Sequence, residues 1–219
     1  MRIKSFKNFS EIFKKYIDYK GKNLIVLDID NTIFKTPTNY GSDQWFDWQL
    51  SILNKNKFSV ATNFNELLNI YTEIHRNINL LLCEENMPMY IKKFKQKDFY
   101  FILLTARNGD TYNNLKKNLK YYDIWDSIYK NKNINNLIDI KSENTQKPLY
   151  KDGLLMAAGN NKSKILINYL QQLDFNFDKI IFIDDKAKNL EDMKNIQNID
   201  LILYTNQHEI ISDFFKDHK

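Results

Sequence analysis

Four short apolar runs constrain the fold of this chain most strongly, because each is too short for a helix and rich in branched or aromatic side chains. They span residues 24–27, 99–104, 180–183 and 201–204. Segments with apolar residues at helical spacing lie between them. Buried strands that alternate with helices are typical of an α/β fold, in which helices sandwich a Rossmann-like parallel sheet. The sequence therefore predicts this fold class.

The predicted helices fall into two groups before the second apolar run. A helix is expected from Phe6 to Ile17, and we interpret it as packed on the core rather than as a membrane-surface or partner helix. Three more helices are expected over 43–55, over 63–82 and from Pro88 onward. We interpret residues 37–96 as a helical insertion into a core formed by 1–36 and 97–219. The Asn- and Lys-rich segment 130–147 is expected to be a surface loop.

Composition limits the partner and the compartment. The chain has 219 residues and a net charge of +5, but its lysines are spread along the whole length. We expect no nucleic-acid partner, because such proteins gather their basic residues in a patch. The single cysteine, Cys83, excludes an internal disulfide and has no metal-ligand neighbours in sequence. No stretch reaches membrane-spanning length, so a cytoplasmic location is expected, although a removed leader would leave export open.

Asp28 and Asp30 follow the first apolar run two residues apart, and Thr32 follows at the same spacing. On a continued strand, these side chains would point to the same side. Two carboxylates this close repel each other, and a divalent cation relieves the repulsion. In the functional interpretation, Asp28 attacks phosphorus, whereas Asp30 protonates the leaving oxygen and later activates water. Taken alone, the motif is equally typical of helix-capping or turn aspartates.

Three further signals lie at predicted strand ends or at the start of a helix. Thr105 follows the second run, where its hydroxyl could hold a phosphoryl oxygen, and Arg107 adds a cation. Lys162 opens a helical segment, where an ammonium would offset negative charge on a nucleophile. Asp184 and Asp185 follow the third run and could complete an oxygen site for Mg²⁺. Alone, Thr105 is also explained as a helix cap, the acidic pair as a solvated turn, and the lysine by the abundance of lysines in this chain. It is their order that indicates a function.

That order, Asp-x-Asp-x-Thr, then Thr, Lys and Asp-Asp, resembles the haloacid dehalogenase superfamily over about residues 22–190. The resemblance implies these roles: Asp28 as nucleophile and metal ligand, Asp30 as acid/base with its backbone carbonyl on the metal, Thr105 as phosphoryl binder, Lys162 as charge stabiliser, Asp184 as metal ligand and Asp185 as a further ligand or a partner of one. It also implies Mg²⁺ as cofactor and the insertion as a cap that selects the substrate. Dehalogenase members lack the second aspartate, so Asp30 favours phosphoryl transfer.

Two features refine this resemblance. The superfamily often places Gly after the motif lysine, whereas Ser163 stands here, so Lys164 competes with Lys162 for the role. The run 41–46 also resembles the signature of a little-characterised bacterial subfamily. Asp43 is expected to cap the helix that follows, while Trp45 packs the insertion on the core; the alternative places one of them in the substrate pocket. The candidate substrate contacts are Thr32, Asp43, Trp45 and Arg107.

The sequence thus predicts a Mg²⁺-dependent phosphoric monoester hydrolase that acts on a small phosphorylated substrate. A signalling receiver domain also combines an acidic pair, Thr and Lys. It differs in two ways. Its phosphorylated aspartate lies on a separate strand between the acidic pair and the Thr, and it has no insertion of this length. The other alternative is a protein that uses the same fold as a binding or effector module. His75, inside the insertion, is not expected to be catalytic.

Overall fold

The structure, a computed structural model, describes residues 2–55, 58–130, 147–173, 176–194 and 196–218. The predicted surface loop at 130–147 lies almost entirely outside the described residues. The strands are β1 (Lys4–Phe6), β2 (Asn23–Leu27), β3 (Phe34–Lys35), β4 (Leu81–Leu82), β5 (Tyr100–Thr105), β6 (Leu149–Lys151), β7 (Leu154–Met156), β8 (Lys179–Asp184) and β9 (Ile199–Tyr204). The α-helices are α1 (Phe9–Tyr16), α2 (Asp43–Ser51), α3 (Phe64–Asn77), α4 (Met87–Lys95), α5 (Tyr112–Tyr121), α6 (Lys162–Gln171), α7 (Ala187–Glu191) and α8 (His208–Asp217). In the described part of the chain, no helix is both long and apolar enough to cross a membrane.

Seven strands form one sheet in the order β1-β9-β8-β2-β5-β7-β6, and β3 pairs with β4 in a separate antiparallel ladder. Neighbours in the large sheet are parallel, except that β6 runs antiparallel to β7. The four predicted strands are present as β2, β5, β8 and β9, and the predicted α/β class is confirmed. The sequence pattern does not predict β1, β6 and β7, because strands of three residues are too short to show an apolar period.

Strand β2 lies between β5 and β8, and this order sets the position of the candidate site. Leu27, the last residue of β2, pairs with Leu103 of β5 and with Ile183 of β8. The three strands are parallel, so the residues at their carboxyl ends meet at one edge of the sheet. Asp28 and Asp184 are therefore neighbours although the chain separates them widely.

Helices cover both faces of the sheet. The side chains of β2 alternate, with Ile25 and Leu27 in one apolar cluster and Leu24 and Val26 in the other. α1, α4 and α5 pack on the first face, and α6 and α7 pack on the second. The residues that α1 buries are Phe9, Ile12 and Tyr16. Burial of an apolar side chain of this size contributes about 1.5–3 kcal/mol, which explains why α1 packs on the core, as predicted.

Helices α2 and α3 form a third apolar cluster, separate from the two on the sheet. Trp45 of α2 and Leu67 of α3 are buried there together with Phe214 of α8. Trp48 adds an edge-to-face contact with Phe214, with ring centroids 6.2 Å apart. These contacts join the insertion to the core through the last helix of the chain.

Helix α4 packs with the sheet instead. Its buried residues belong to the same apolar cluster as those of α1, and Phe94 contacts Phe9 edge to face at 6.4 Å between ring centroids. The helix predicted over 63–82 ends at Asn77, because Leu81 and Leu82 pair with β3. The division of the chain at residues 37 and 96 stays a prediction, and α2 and α3 are the helices of that segment that form their own cluster.

Candidate active site

Lys162 lies between two carboxylates at the carboxyl edge of the sheet. It is the first residue of α6, and its ammonium donates to Asp28 Oδ1 at 2.5 Å and to Asp184 Oδ2 at 2.8 Å. All three side chains are buried. Lys164, the competing lysine, is exposed on the same helix. The local reason is the helix start, since Asn161 caps α6 and directs its first turn toward the sheet edge.

Three carboxylates converge here, from Asp28, Asp184 and Asp185. One ligand oxygen from each lies within 4.8 Å of the others. Asp184 is fixed further by the backbone N–H of Lys186 at 2.9 Å and by the amide of Asn189 at 2.9 and 3.0 Å. Burial, followed by the charge of Asp184, raises the pKa of Asp28 to about 7. Burial and the charge of Asp28 likewise hold the pKa of Asp185 well above its usual range.

This group of carboxylates fits a divalent cation. Lys162 supplies a single positive charge among three acidic groups, and burial together with the neighbouring carboxylates raises the pKa values of Asp28 and Asp185. Asp185 Oδ1 is buried and has no hydrogen-bond partner within the residues that the structure describes. Mg²⁺ prefers carboxylate oxygens of this kind. Asp28, Asp184 and Asp185 are therefore the residues that could hold the predicted Mg²⁺.

The carboxylate of Asp30 lies outside this group and has a different partner. β2 ends before Asp28, so strand alternation does not extend to the two aspartates. The chain then turns at Asn31, whose φ of 57° is a left-handed conformation that asparagine tolerates better than most residues. Arg107 Nε donates to Asp30 Oδ2 at 2.9 Å, and its Nη2 donates to Oδ1. The buried guanidinium thus binds Asp30 through both oxygens, the strongest geometry for such a pair.

Thr105 and Thr32 are both fully buried. Thr105 ends β5 beside Asp28, and its Oγ1 accepts a hydrogen bond from the backbone N–H of Arg107 at 3.1 Å. Thr32 Oγ1 has no hydrogen-bond partner in the described part of the chain. Their predicted roles as phosphoryl and substrate contacts stay predictions.

A cavity of about 360 Å³ lies between the sheet edge and helices α2 and α3. Asp30 and Arg107 line it from the core, and Asp43 lines it from α2. Among the described residues, Trp45 and Thr32 do not belong to its lining. On the side of α2 and α3, apolar and aromatic side chains also line the cavity: Phe46, Phe64, Leu68 and Tyr71. Asp30 is therefore the predicted catalytic carboxylate that directly faces the cavity.

The start of α2 differs from the expectation. Ser42, not Asp43, caps the helix, because Ser42 Oγ accepts the backbone N–H of Trp45 at 3.1 Å. Asp43 instead accepts a hydrogen bond from the Tyr71 hydroxyl at 2.8 Å and pairs with Lys186 at 3.1 Å. The expected capping role of Asp43 is wrong, whereas its position at the cavity agrees with the pocket alternative. Trp45 packs in the apolar cluster of α2 and α3, as the packing interpretation expects.

Three site residues are missed by the sequence patterns, namely Lys186, Asn189 and Tyr71. Lys186 directly follows the acidic pair, and that adjacency is a signal that could have identified it. Asn189 lies five residues after Asp184 in α7, where a helical turn brings its amide back to the carboxylate. Tyr71 falls at helical spacing among apolar residues of α3, so its spacing indicates only core packing.

Similarity to solved structures is distant, whereas one family model spans most of the chain. No curated protein matches this chain. The Legionella pneumophila effector Ceg4 is similar at 13% identity and a TM-score of 0.43, covering 92% of this chain and 95% of that chain. A phosphoserine phosphohydrolase-like protein from Francisella tularensis is similar at 13% identity and a TM-score of 0.41, covering 86% and 91%. The model of the family described as "Protein of unknown function (DUF2608)" matches residues 5–208, and this chain belongs to that family.

Proposed function

We propose that this protein is a Mg²⁺-dependent phosphatase that hydrolyses a small phosphomonoester through an aspartyl-phosphate on Asp28. The observation that carries the proposal is the buried group of Asp28, Asp184 and Asp185 around Lys162. Burial of several carboxylates with a single cation costs free energy, and such sites are typical of function rather than of stability. Their place at the carboxyl edge of a parallel sheet supports the same conclusion.

The chemistry assigns separate tasks to the two aspartates of the first motif. A carboxylate oxygen of Asp28 forms a bond to phosphorus while the ester P–O bond breaks. Asp30 gives a proton to the leaving oxygen, which requires that Asp30 first takes up a proton and gives up one of its two hydrogen bonds from Arg107. Asp30 then takes a proton from water as the water oxygen attacks phosphorus. The bond between phosphorus and Asp28 breaks in that step, which releases phosphate and restores the carboxylate. The position of Asp30 on the cavity supports this assignment, since the leaving group would lie there.

Other residues bind the phosphoryl group and neutralise its negative charge. Lys162 donates to Asp28 and offsets negative charge on the phosphoryl group, while Thr105 is proposed to bind a phosphoryl oxygen. Mg²⁺ held by Asp28, Asp184 and Asp185 would supply further positive charge against the phosphoryl oxygens. The backbone carbonyl of Asp30 is proposed as a further ligand of that ion.

Substrate selection is assigned to the cavity. Its volume of about 360 Å³ lies near the lower end of the roughly 300–1,000 Å³ of small-molecule sites. Arg107 and Asp43 line it and are proposed as substrate contacts. Thr32 and Trp45 do not line the cavity. They are proposed to affect substrate binding indirectly, by packing against the segments that carry Arg107 and Asp43. We propose the segment 37–96 as the cap, with α2 and α3 as the part that covers the cavity.

A steady-state assay with a generic aryl phosphate tests the proposal. The wild type should release phosphate with Mg²⁺ present and stop when a chelator removes the ion. Asp28→Asn should lower kcat by at least about a thousandfold, because an amide is not a nucleophile at phosphorus. Asp126→Asn is the matched control, since the Asp126 side chain is 98% exposed and lies away from the cavity lining.

An inert wild type across a broad panel of phosphate esters would contradict the proposal. That result would favour the alternative, in which the fold serves as a binding or effector module. Equal activity of Asp28→Asn and the wild type would reject Asp28 as the nucleophile while leaving the hydrolase class open to another residue.

A further inference from the structure

Lys186 connects the acidic group to helix α2. Its backbone N–H donates to Asp184 Oδ1 at 2.9 Å, which fixes one of the metal-site carboxylates. Its side chain extends the other way and pairs with Asp43 Oδ2 at 3.1 Å and Asp47 Oδ2 at 3.4 Å. One residue therefore contacts both the sheet edge and the helix that covers the cavity.

Asp43 and Asp47 lie four residues apart on the same side of α2, and both line the cavity. Like charges at this spacing destabilise a helix unless a cation lies between them. Lys186 supplies that cation, and it comes from the core rather than from the helix. The electrostatic stability of this turn of α2 thus depends on contact with the core.

Asp43 extends the connection to α3. The Tyr71 hydroxyl donates to Asp43 Oδ1 while Lys186 pairs with Asp43 Oδ2, so the two oxygens have separate partners on α3 and on the core. Burial alone would raise the pKa of Asp43, but Lys186, Tyr71 and Arg107 outweigh it, and the net pKa lies well below the usual range. The carboxylate is therefore ionised at neutral pH and forms full ion pairs.

The charges around the cavity alternate in sign from the core outward. Asp30 binds Arg107, whose positive charge acts on Asp43, and Lys186 lies between Asp43 and Asp47. Asp30, Arg107 and Lys186 belong to the core. Asp43 and Asp47 belong to α2. Separation of α2 from the core would part Asp43 and Asp47 from Lys186, so these ion pairs favour contact between α2 and the core.

We propose that Lys186 is a positioning residue that holds α2 across the cavity and thereby controls how the substrate binds. The proposal rests on the phosphatase function for its kinetic part only. Lys186 also lines the cavity, but its ammonium pairs with Asp43 and Asp47, so in this role it acts on the substrate through α2. Its removal should therefore change substrate binding more than the chemical step.

Hydrogen exchange and kinetics together test the proposal. Lys186→Met removes the charge and keeps the length of the side chain, Lys186→Arg keeps the charge, and Lys188→Met is the matched control on an exposed neighbouring lysine. In Lys186→Met, the amides of α2 should exchange about five- to tenfold faster, while those of α5 keep the wild-type rate. KM for an aryl phosphate should rise by a similar factor with kcat changed less than about twofold. Lys186→Arg should restore both, and Lys188→Met should match the wild type.

Three results for Lys186→Met would overturn the proposal. Unchanged exchange in α2 of Lys186→Met would overturn the proposal, and so would equal acceleration in α2 and α5, because that pattern indicates general destabilisation. A fall in kcat at constant KM would also overturn it. If the wild type hydrolyses no phosphate ester but α2 still exchanges faster in Lys186→Met, the positioning role stands and only the phosphatase function fails.

Discussion

His75 is a buried histidine whose protonation should control stability in mild acid. It lies in α3, its Nε2 donates to Gly41 O at 2.7 Å, and its ring contacts that of Tyr71 with centroids 4.2 Å apart. Burial, followed by the positive charge of Arg107, lowers the pKa of His75 to about 4, although Asp30 and Asp43 oppose that change. The neutral ring is therefore part of the folded state, and protonation opposes folding.

The sign and the size of the effect follow from the two pKa values. An unfolded His75 binds a proton near pH 6.5, whereas the folded protein binds it only near pH 4. Between these values the unfolded state holds more protons, so stability falls as the pH falls from 6.5 to 4 and levels off below 4. At pH 4.5 the loss attributable to this group is about 2–3 kcal/mol.

Urea unfolding at pH 7.5 and pH 4.5 measures this loss. His75→Gln cannot be protonated, but its amide can still donate to Gly41 O, so this variant should lose about 2–3 kcal/mol less than the wild type between the two pH values. The buried carboxylates titrate in both proteins, and the comparison cancels their contribution. The same substitution at the exposed His218 should keep the wild-type difference. Equal losses in His75→Gln and the wild type would refute the assignment of a buried, neutral His75.

Three further predictions concern the site and its cap. Asp30→Asn should slow breakdown of the phosphoenzyme, because a carboxamide cannot act as the base for water; trapping with a labelled substrate measures this, and no label on Asp28 would reject the intermediate. Mg²⁺ at a hundred times its Kd should stabilise the wild type by about 2.7 kcal/mol in thermal unfolding, and Asp185→Asn should need a higher Mg²⁺ concentration for the same gain, whereas an equal response in both would exclude Asp185 as a ligand. Trp45→Ala should change the preference among phosphate esters more than the rate on a small aryl phosphate, and equal losses on all substrates would indicate a misfolded cap.

The strands and the order of the motifs were predictable because they depend on local sequence. A parallel strand buried on both faces, such as β2, is apolar at nearly every position, so Leu24 to Leu27 identifies it without knowledge of its neighbours. Lys162 was a weak signal in a lysine-rich chain, and only its position at the start of α6 separates it from Lys164. The short strands β6 and β7 were not predictable, since β7 forms by pairing with β5 and β6 by pairing with β7, and neither is long enough to show a local pattern.

Tertiary packing decided which residue performs which local task. Asp43 lies at the start of a helical segment, where a capping residue is expected. Ser42 caps the helix instead, and Asp43 forms an ion pair with Lys186 at the cavity. α4 has the same amphipathic spacing as α3, but its apolar face packs on α1 and the sheet. Amphipathic spacing specifies that a face is buried, whereas the partner of that face depends on the path of the whole chain.

Local sequence specified an α/β fold and a set of acidic, hydroxyl and lysine residues at strand and helix ends, because hydrophobic period and motif spacing are local properties. The folded chain then showed that Asp28 shares Lys162 with Asp184, that Arg107 binds Asp30, and that Lys186 joins the site to α2. Those contacts join residues far apart in the chain, and their geometry depends on the parallel order of β5, β2 and β8. Charge pairing across such distances has no signature in local sequence, and this is why it appears only in the folded molecule.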